Sequence, residues 1–292
     1  MLLFVINMSN NTLLEFLGRS EIVSLMPKTG LSDTPDIPPD LAKEKLIVAI
    51  KDASITRTNL RKVWVEVLKN LFFNEFQKLY IFSPSKEFST TTKLKNKLIQ
   101  KSKIVEKEFS SKLYGFYATK ISASPLHYAI AIAIENIKGF YELFQISTEK
   151  FFILNIFPTL GIITSWPIKK DLRLKFVLKL ILETFPDAKE VKINALLLRK
   201  YASNEKITQL TISTPHEIAG FSGLDKIVFR GEDVMLGLLG LKRRHDANVD
   251  AITRVGPFTE LDSPFLKLAA GKGVQFKNYE GISKLIRVLT SG

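Results

Sequence analysis

Eighteen consecutive residues, 151–168, carry no charge and are bracketed by Lys150 and by Lys169 and Lys170. A run of this kind has to leave water. Two arrangements allow it: a membrane-spanning helix, which needs about 20 predominantly apolar residues, or strands at the centre of a sheet. Asn155, Pro158, Gly161, Thr164, Ser165 and Pro167 fall inside the run. Lipid would leave the backbone groups around Pro158 without partners, whereas Pro158-Thr159-Leu160-Gly161 is a turn signal between two apolar segments. The run therefore reads as two buried strands, 151–157 and 162–166, and no transmembrane segment is expected. The apolar start of the chain lacks a basic n-region and is interrupted by Asn7, Ser9, Asn10 and Asn11. No secretory signal is read there, and a cytoplasmic location is expected.

Around this centre, strand-like and helix-like patterns alternate. Residues 45–50 form a short β-branched run, and 79–82 another. Between them, Leu60, Val63, Trp64, Val67, Leu68, Leu71 and Phe72 recur at helical spacing. Thr90, Thr91 and Thr92 offer N-caps to a helix whose inner stripe is Leu94, Leu98, Val105, Phe109 and Leu113. Residues 114–121 are expected to be a strand. Ser124-Pro125 reads as the opening of a mostly apolar, buried helix over 126–144. Beyond the charge-free run come a helix over 169–185 closed by Pro186, strands at 191–198 and 207–213, and a helix opened by Gly231-Glu232-Asp233. Short strands follow near Ile252, at 265–268 and at 274–276, with a closing helix over 279–289.

The fold class expected is mixed, from α/β to α+β: an N-terminal part with strands and helices alternating, and a second α+β part containing antiparallel hairpins. Residues 1–45, with Pro27, Gly30, Pro35, Pro38 and Pro39, read as an extended leader and linker. A basic α/β domain is assigned to 46–148 and an α+β domain to 149–292, with the boundary at 145–150.

Composition removes several chemistries. Cysteine is absent and only three histidines occur, so disulfides, thiolate nucleophiles and cysteine-ligated metals are excluded. What remains is charge: 42 Lys and Arg against 29 Asp and Glu give a net +13. The excess is concentrated, since residues 51–120 hold fifteen basic and six acidic groups. Within them Lys93, Lys95, Lys97, Lys101, Lys103 and Lys107 lie on one predicted helix. Lys93, Lys97 and Lys101 are four apart and share a face, with Lys103 and Lys107 on a neighbouring one. Lys242, Arg243 and Arg244 form a second cluster in a last helical turn, where cations also complement the helix dipole. Lysine outnumbers arginine in the first segment, which suits phosphate contact better than base readout. DNA or RNA is the expected partner, DNA in preference, held without strong sequence specificity. Tyr114, Phe116 and Tyr117 follow the lysine helix and offer rings for base stacking or for the core. A homo-oligomer or a protein partner is a further expectation.

No cofactor is expected under that reading. One alternative needs Mg²⁺. Pro186-Asp187 followed by Glu190-Val191-Lys192 is similar to the Pro-Asp and Glu-x-Lys elements of metal-dependent nucleases, with Asp171 or Asp187 beside Glu190 and Lys192; Asp187 and Glu190 are unusually close, and Asp171, which could substitute, begins a predicted helix. The other alternative is an assembly subunit or a protein of anionic membrane surfaces, with apolar 126–168 against a partner and the lysines serving lipid contact or solubility. The histidines form no metal or triad pattern: His127 sits in an apolar segment, His216-Glu217 lacks a second histidine, and His245 ends a helix. Ser222 misses the nucleophile-elbow spacing, and Gly271-Lys272-Gly273 is a turn rather than a phosphate loop.

Overall fold

The computed structural model describes residues 6–7, 57–109, 111–136, 150–166, 172–194, 197–198, 207–213, 217–218, 221–222, 226–232, 234–245, 252–257, 265–279 and 282. The leader 1–45 apart from Ile6 and Asn7, the strand expected at 45–50, most of the boundary at 145–150 and most of the closing helix lie outside them. The chain is a mixed α+β protein in which, β1 apart, neighbouring strands run antiparallel. It divides into two compact units, Met1–Leu71 with Phe82–Gly161 and Lys169–Ala188, and Phe72–Ile81 with Ile162–Ile168 and Lys189–Gly292.

In the first unit, strands β1 (Ile6–Asn7), β3 (Ser111–Ala123), β4 (Leu126–Asn136) and β5 (Lys150–Phe157) lie side by side in that order. β1 runs parallel to β3, opposite Gly115 and Phe116. Helices α2 (Thr91–Val105) and α3 (Leu172–Thr184) belong to the same unit. Thr90 starts α2 as expected from sequence: its backbone is extended (φ −129°, ψ 148°) and its hydroxyl accepts from the Lys93 N–H at 3.3 Å. Leu94, Leu98 and Val105 are fully buried, and Phe109 meets Phe176 of α3 edge-on at 6.2 Å. The helix is shorter than expected: it ends at Val105, and Leu113 is a buried residue of β3.

The segment expected to be a helix from 126 is strand β4. Ile130, Ile132 and Ile134 alternate with Ala129, Ala131 and Ala133, and all six are buried. Apolar residues on both sides of an element suggest a buried helix only when period is ignored; β-branched residues at every second position favour a central strand with both faces covered. Ser124-Pro125 forms the turn of the β3–β4 hairpin, where the Ser122 hydroxyl accepts from the Ser124 N–H at 3.2 Å. The hairpin expected within 151–166 is present as β5, a Pro158–Gly161 turn, and β6 (Ile162–Trp166), with Gly161 at φ +65°. Among the described residues no helix is long and apolar enough to cross a membrane.

In the second unit, β6, β2 (Lys78–Ile81) and β7 (Lys189–Glu190) pair antiparallel. The strand expected over 191–198 is not formed by its described residues: β7 ends at Glu190, and 191–194 are not strand. The Asn194 carboxamide oxygen accepts from the Leu197 N–H at 2.9 Å and turns the chain into a helical turn at 197–198. A second sheet holds β11 (Lys226–Arg230), β8 (Gln209–Ser213), β12 (Ile252–Val255), β13 (Phe265–Ala269) and β14 (Gly273–Phe276) in that order. A separate two-residue pair joins β9 (Glu217–Ile218) to β10 (Phe221–Ser222). Leu210, Ile212, Leu268, Val274 and Phe276 of the five-stranded sheet are buried.

Helix α1 (Arg57–Asn74) delivers its C-terminal turn to this unit. The Gln275 amide nitrogen donates to the Phe73 and Asn74 carbonyls at 3.2 and 2.9 Å, satisfying acceptors a helix end leaves orphaned. Gln77 and Val274 exchange backbone hydrogen bonds at 2.7 and 2.9 Å, so the edge of β14 is occupied. Gly273 makes this approach possible: its φ is +97°, and a Cβ there would collide with the Gln77 carbonyl. Gly273→Ala is expected to lower unfolding free energy by about 2–4 kcal/mol, from backbone strain plus overpacking. The urea midpoint measures this, and a midpoint within error of the wild type would show that Gln77 moves aside freely.

Candidate nucleic-acid interface

Helix α2 carries Lys93, Lys95, Lys97, Lys101 and Lys103 and no acid. Its apolar stripe is committed to the core, so the lysines take the remaining surface. Their surroundings divide them. Lys93, Lys103 and Lys107 are exposed and make no ion pair with a described acid. Lys97 is half-buried: its Nζ lies 3.0 Å from Glu87 Oε1 and 4.7 Å above the centre of the Phe88 ring. Lys101 Nζ lies 3.8 Å from Glu183 of α3. Glu183 and Glu108 also hold Lys179, at 3.6 and 3.4 Å.

The Lys93, Lys97, Lys101 face is therefore not a row of three free ammonium groups. Two of the three face carboxylates, because α2 packs beside α3 and the acids come from that helix and from the loop before α2. Partly exposed pairs of this kind contribute about 0–1 kcal/mol and exchange partners readily. Among the described residues, the cations without an ion-pair partner on and beside α2 are Lys93 at its start and Lys103 and Lys107 at its end.

Lys242, Arg243 and Arg244 lie in the last turns of α4 (Val234–His245). Earlier in α4, Val234 and Leu238 are buried, while Leu236 and Leu239 are 66% and 43% exposed. Of the rings offered for stacking, Phe116 is buried in the β3–β4 face and Tyr117 is half-buried. Phe116 is a core residue, as β-strand alternation opposite Ile132 requires.

The acids of the nuclease alternative already have structural partners. Asp187 Oδ2 accepts from the Ser83 N–H at 2.7 Å. Glu190 pairs with Lys78 at 3.3 Å and stands opposite Tyr80 in the β2–β7 register. Burial, with Glu190 adding to it, pushes the Tyr80 phenol well above its ordinary value, so it stays protonated. Lys192 is exposed, and Asp171 lies outside the described residues. No group of three or more His, Asp or Glu among the described residues could hold a metal ion.

His127 is a strand residue rather than a helical one. It is fully buried in β4, stacked on Phe157 with ring centres 4.3 Å apart, and its Nε2 lies 2.9 Å from Asn155 Oδ1. Burial pulls its pKa down to about 3, only partly opposed by the hydrogen bond to Asn155. It is a neutral core group out of reach of any substrate.

Sequence reasoning passed over one set of cations. Lys226 and Arg230 of β11, Arg254 of β12 and Lys267 of β13 sit in separate short strands, none of which is a charge cluster by itself. The available signal is the alternation Lys226-x-Val228-x-Arg230, which puts two cations on one side of a strand. No protein-family model matches the chain, and no curated protein matches it.

Proposed function

We propose that this protein binds nucleic acid through backbone phosphates, without strong sequence readout and without catalysis, and that it does so in the cytoplasm. The observation that carries the reading is helix α2: five lysines and no acid, with Lys93, Lys103 and the nearby Lys107 exposed and unpaired among the described residues. Each phosphate neutralised releases counterions, so affinity falls as salt rises. Lysine heads on flexible stems suit this contact, and the scarcity of arginine there argues against bidentate reading of bases. DNA is the preferred partner and RNA the other.

The test is a salt titration of binding to duplex DNA, single-stranded DNA and RNA, with Lys93, Lys103 and Lys107 changed together to Glu. Removing three phosphate contacts should weaken binding on the order of 10²-fold near 100 mM salt and reduce the log–log salt slope by roughly 3. Unchanged affinity and slope would overturn the assignment to α2. Wild-type protein that binds none of the three at low salt would overturn the reading altogether.

A second reading, an assembly subunit with a protein or homo-oligomeric partner, is favoured by one specific observation. Val228, Leu236 and Leu239 are exposed apolar side chains in the second unit. Sedimentation velocity over a concentration series distinguishes it.

A further inference from the structure

We propose that the polar face of the five-stranded sheet is a second phosphate-binding surface, laid out for a single-stranded nucleic acid. This rests on the nucleic-acid reading above and adds to it a place and a strand class.

The face follows from pairing register. Val228 stands opposite Thr211, Thr211 opposite Arg254, Arg254 opposite Ala269, and Ala269 opposite Gly273. Directly paired antiparallel residues point to the same side, and so do residues two apart along a strand. Lys226, Val228 and Arg230, Gln209 and Ser213, Arg254, and Lys267 with Gln275 therefore share one side of the sheet. Leu210, Ile212, Leu268, Val274 and Phe276 take the other, and all are buried.

Four cations stand on the polar side, and none of the five strands contains an Asp or Glu. Lys226 and Arg230 are exposed on the edge strand β11, with half-exposed Val228 between them; Arg254 and Lys267 are partly exposed further in. None of the four pairs with a described acid. Here the contrast with α2 is informative, since Lys97 and Lys101 pair with described carboxylates and these four do not.

Two features select a single strand. The open part of this side lies along β11, since Thr211, Ala269 and Gln275 are buried further in; cations four residues apart on that strand are separated by roughly 13 Å, so the charges track an extended backbone rather than enter a groove. The second feature is Arg254, whose guanidinium carbon lies 5.4 Å from the centre of the half-buried Phe76 ring, with Nε buried and unpartnered. A guanidinium held over a ring adds a cation–π contact to which a base can be drawn.

The experiment compares a 20-nucleotide oligothymidylate with a 20-base-pair duplex, using the full chain. In the variant Lys226→Glu, Arg230→Glu, Lys267→Glu, single-strand affinity should fall at least tenfold while duplex affinity changes less than twofold. Because charge reversal at the partly buried Lys267 can disturb the sheet, the exposed pair Lys226→Gln and Arg230→Gln carries the same test, with an expected loss of about fivefold and an unchanged urea midpoint. Unchanged single-strand binding in the glutamine pair, or equal loss on both ligands, overturns this proposal. Loss of binding in the α2 variant alone leaves the nucleic-acid reading standing and removes this surface from it; wild-type protein that binds neither ligand removes both.

Discussion

Between pH 6.5 and 5 the folded protein is expected to lose stability with a slope that steepens from about 0.7 to about 1.4 kcal/mol per pH unit, as one buried imidazole requires. His127 has its pKa pulled from 6.5 to about 3 in the folded chain, chiefly by burial. Register places Ser122 opposite it, with Ala129 and Asn155 on the same side of the sheet. The unfolded chain therefore binds a proton that the folded one refuses. The stabilisation is complete above pH 6.5 and is lost as pH falls through the window down to about 3, a total on the order of 5 kcal/mol. Carboxylates contribute their own slope below about pH 5, so the upper part of the window isolates the histidine. His127→Gln, which keeps an amide beside Asn155, should flatten the curve there. Urea unfolding of the wild type with a pH-independent midpoint from 7 to 5 would contradict the burial of an uncharged ring.

Phe72→Ala should remove about 3–5 kcal/mol, the usual loss for an aromatic deleted from a filled core. Phe72 is fully buried. It stacks on Phe276 at 5.1 Å with the rings 17° apart, and lies 4.9 Å from Phe73 and 6.5 Å from Tyr279. The site joins the end of α1 to β14, so collapse around the missing ring would have to pull on the Gln275 bonds that hold the same helix end. Phe72→Leu, which refills most of the volume, should lose roughly half as much. Guanidinium midpoints of the two variants measure the effect, and a loss under 1 kcal/mol for the alanine would mean that the aromatic cluster is loosely packed.

Local chemistry was readable in advance wherever one segment determines its own structure. Thr90 as a cap, the Leu94, Leu98 and Val105 stripe, and the Pro158–Gly161 turn are of this kind, and the structure contains all three. Strand β4 reads as a helix when only polarity is followed, because isoleucine on one face and alanine on the other leave both faces apolar; the period of two lies in the β-branching. The lysine face failed differently. Glu87 is ten residues from Lys97, and Glu183 sits on another helix, so the pairing depends on tertiary packing that no window reveals. The four cations of the five-stranded sheet are spread from 226 to 267, and only strand register brings them to one side. Each compact unit is likewise assembled from three separated stretches, which no local pattern marks.

The Gln275 bonds to the Phe73 and Asn74 carbonyls close a loop of about 200 residues. A ribosome adding about 5–20 residues per second needs roughly 10–40 s to travel from one partner to the other. For an interval of that length Phe72 and Phe73 are without the β14 residues that cover them in the folded chain.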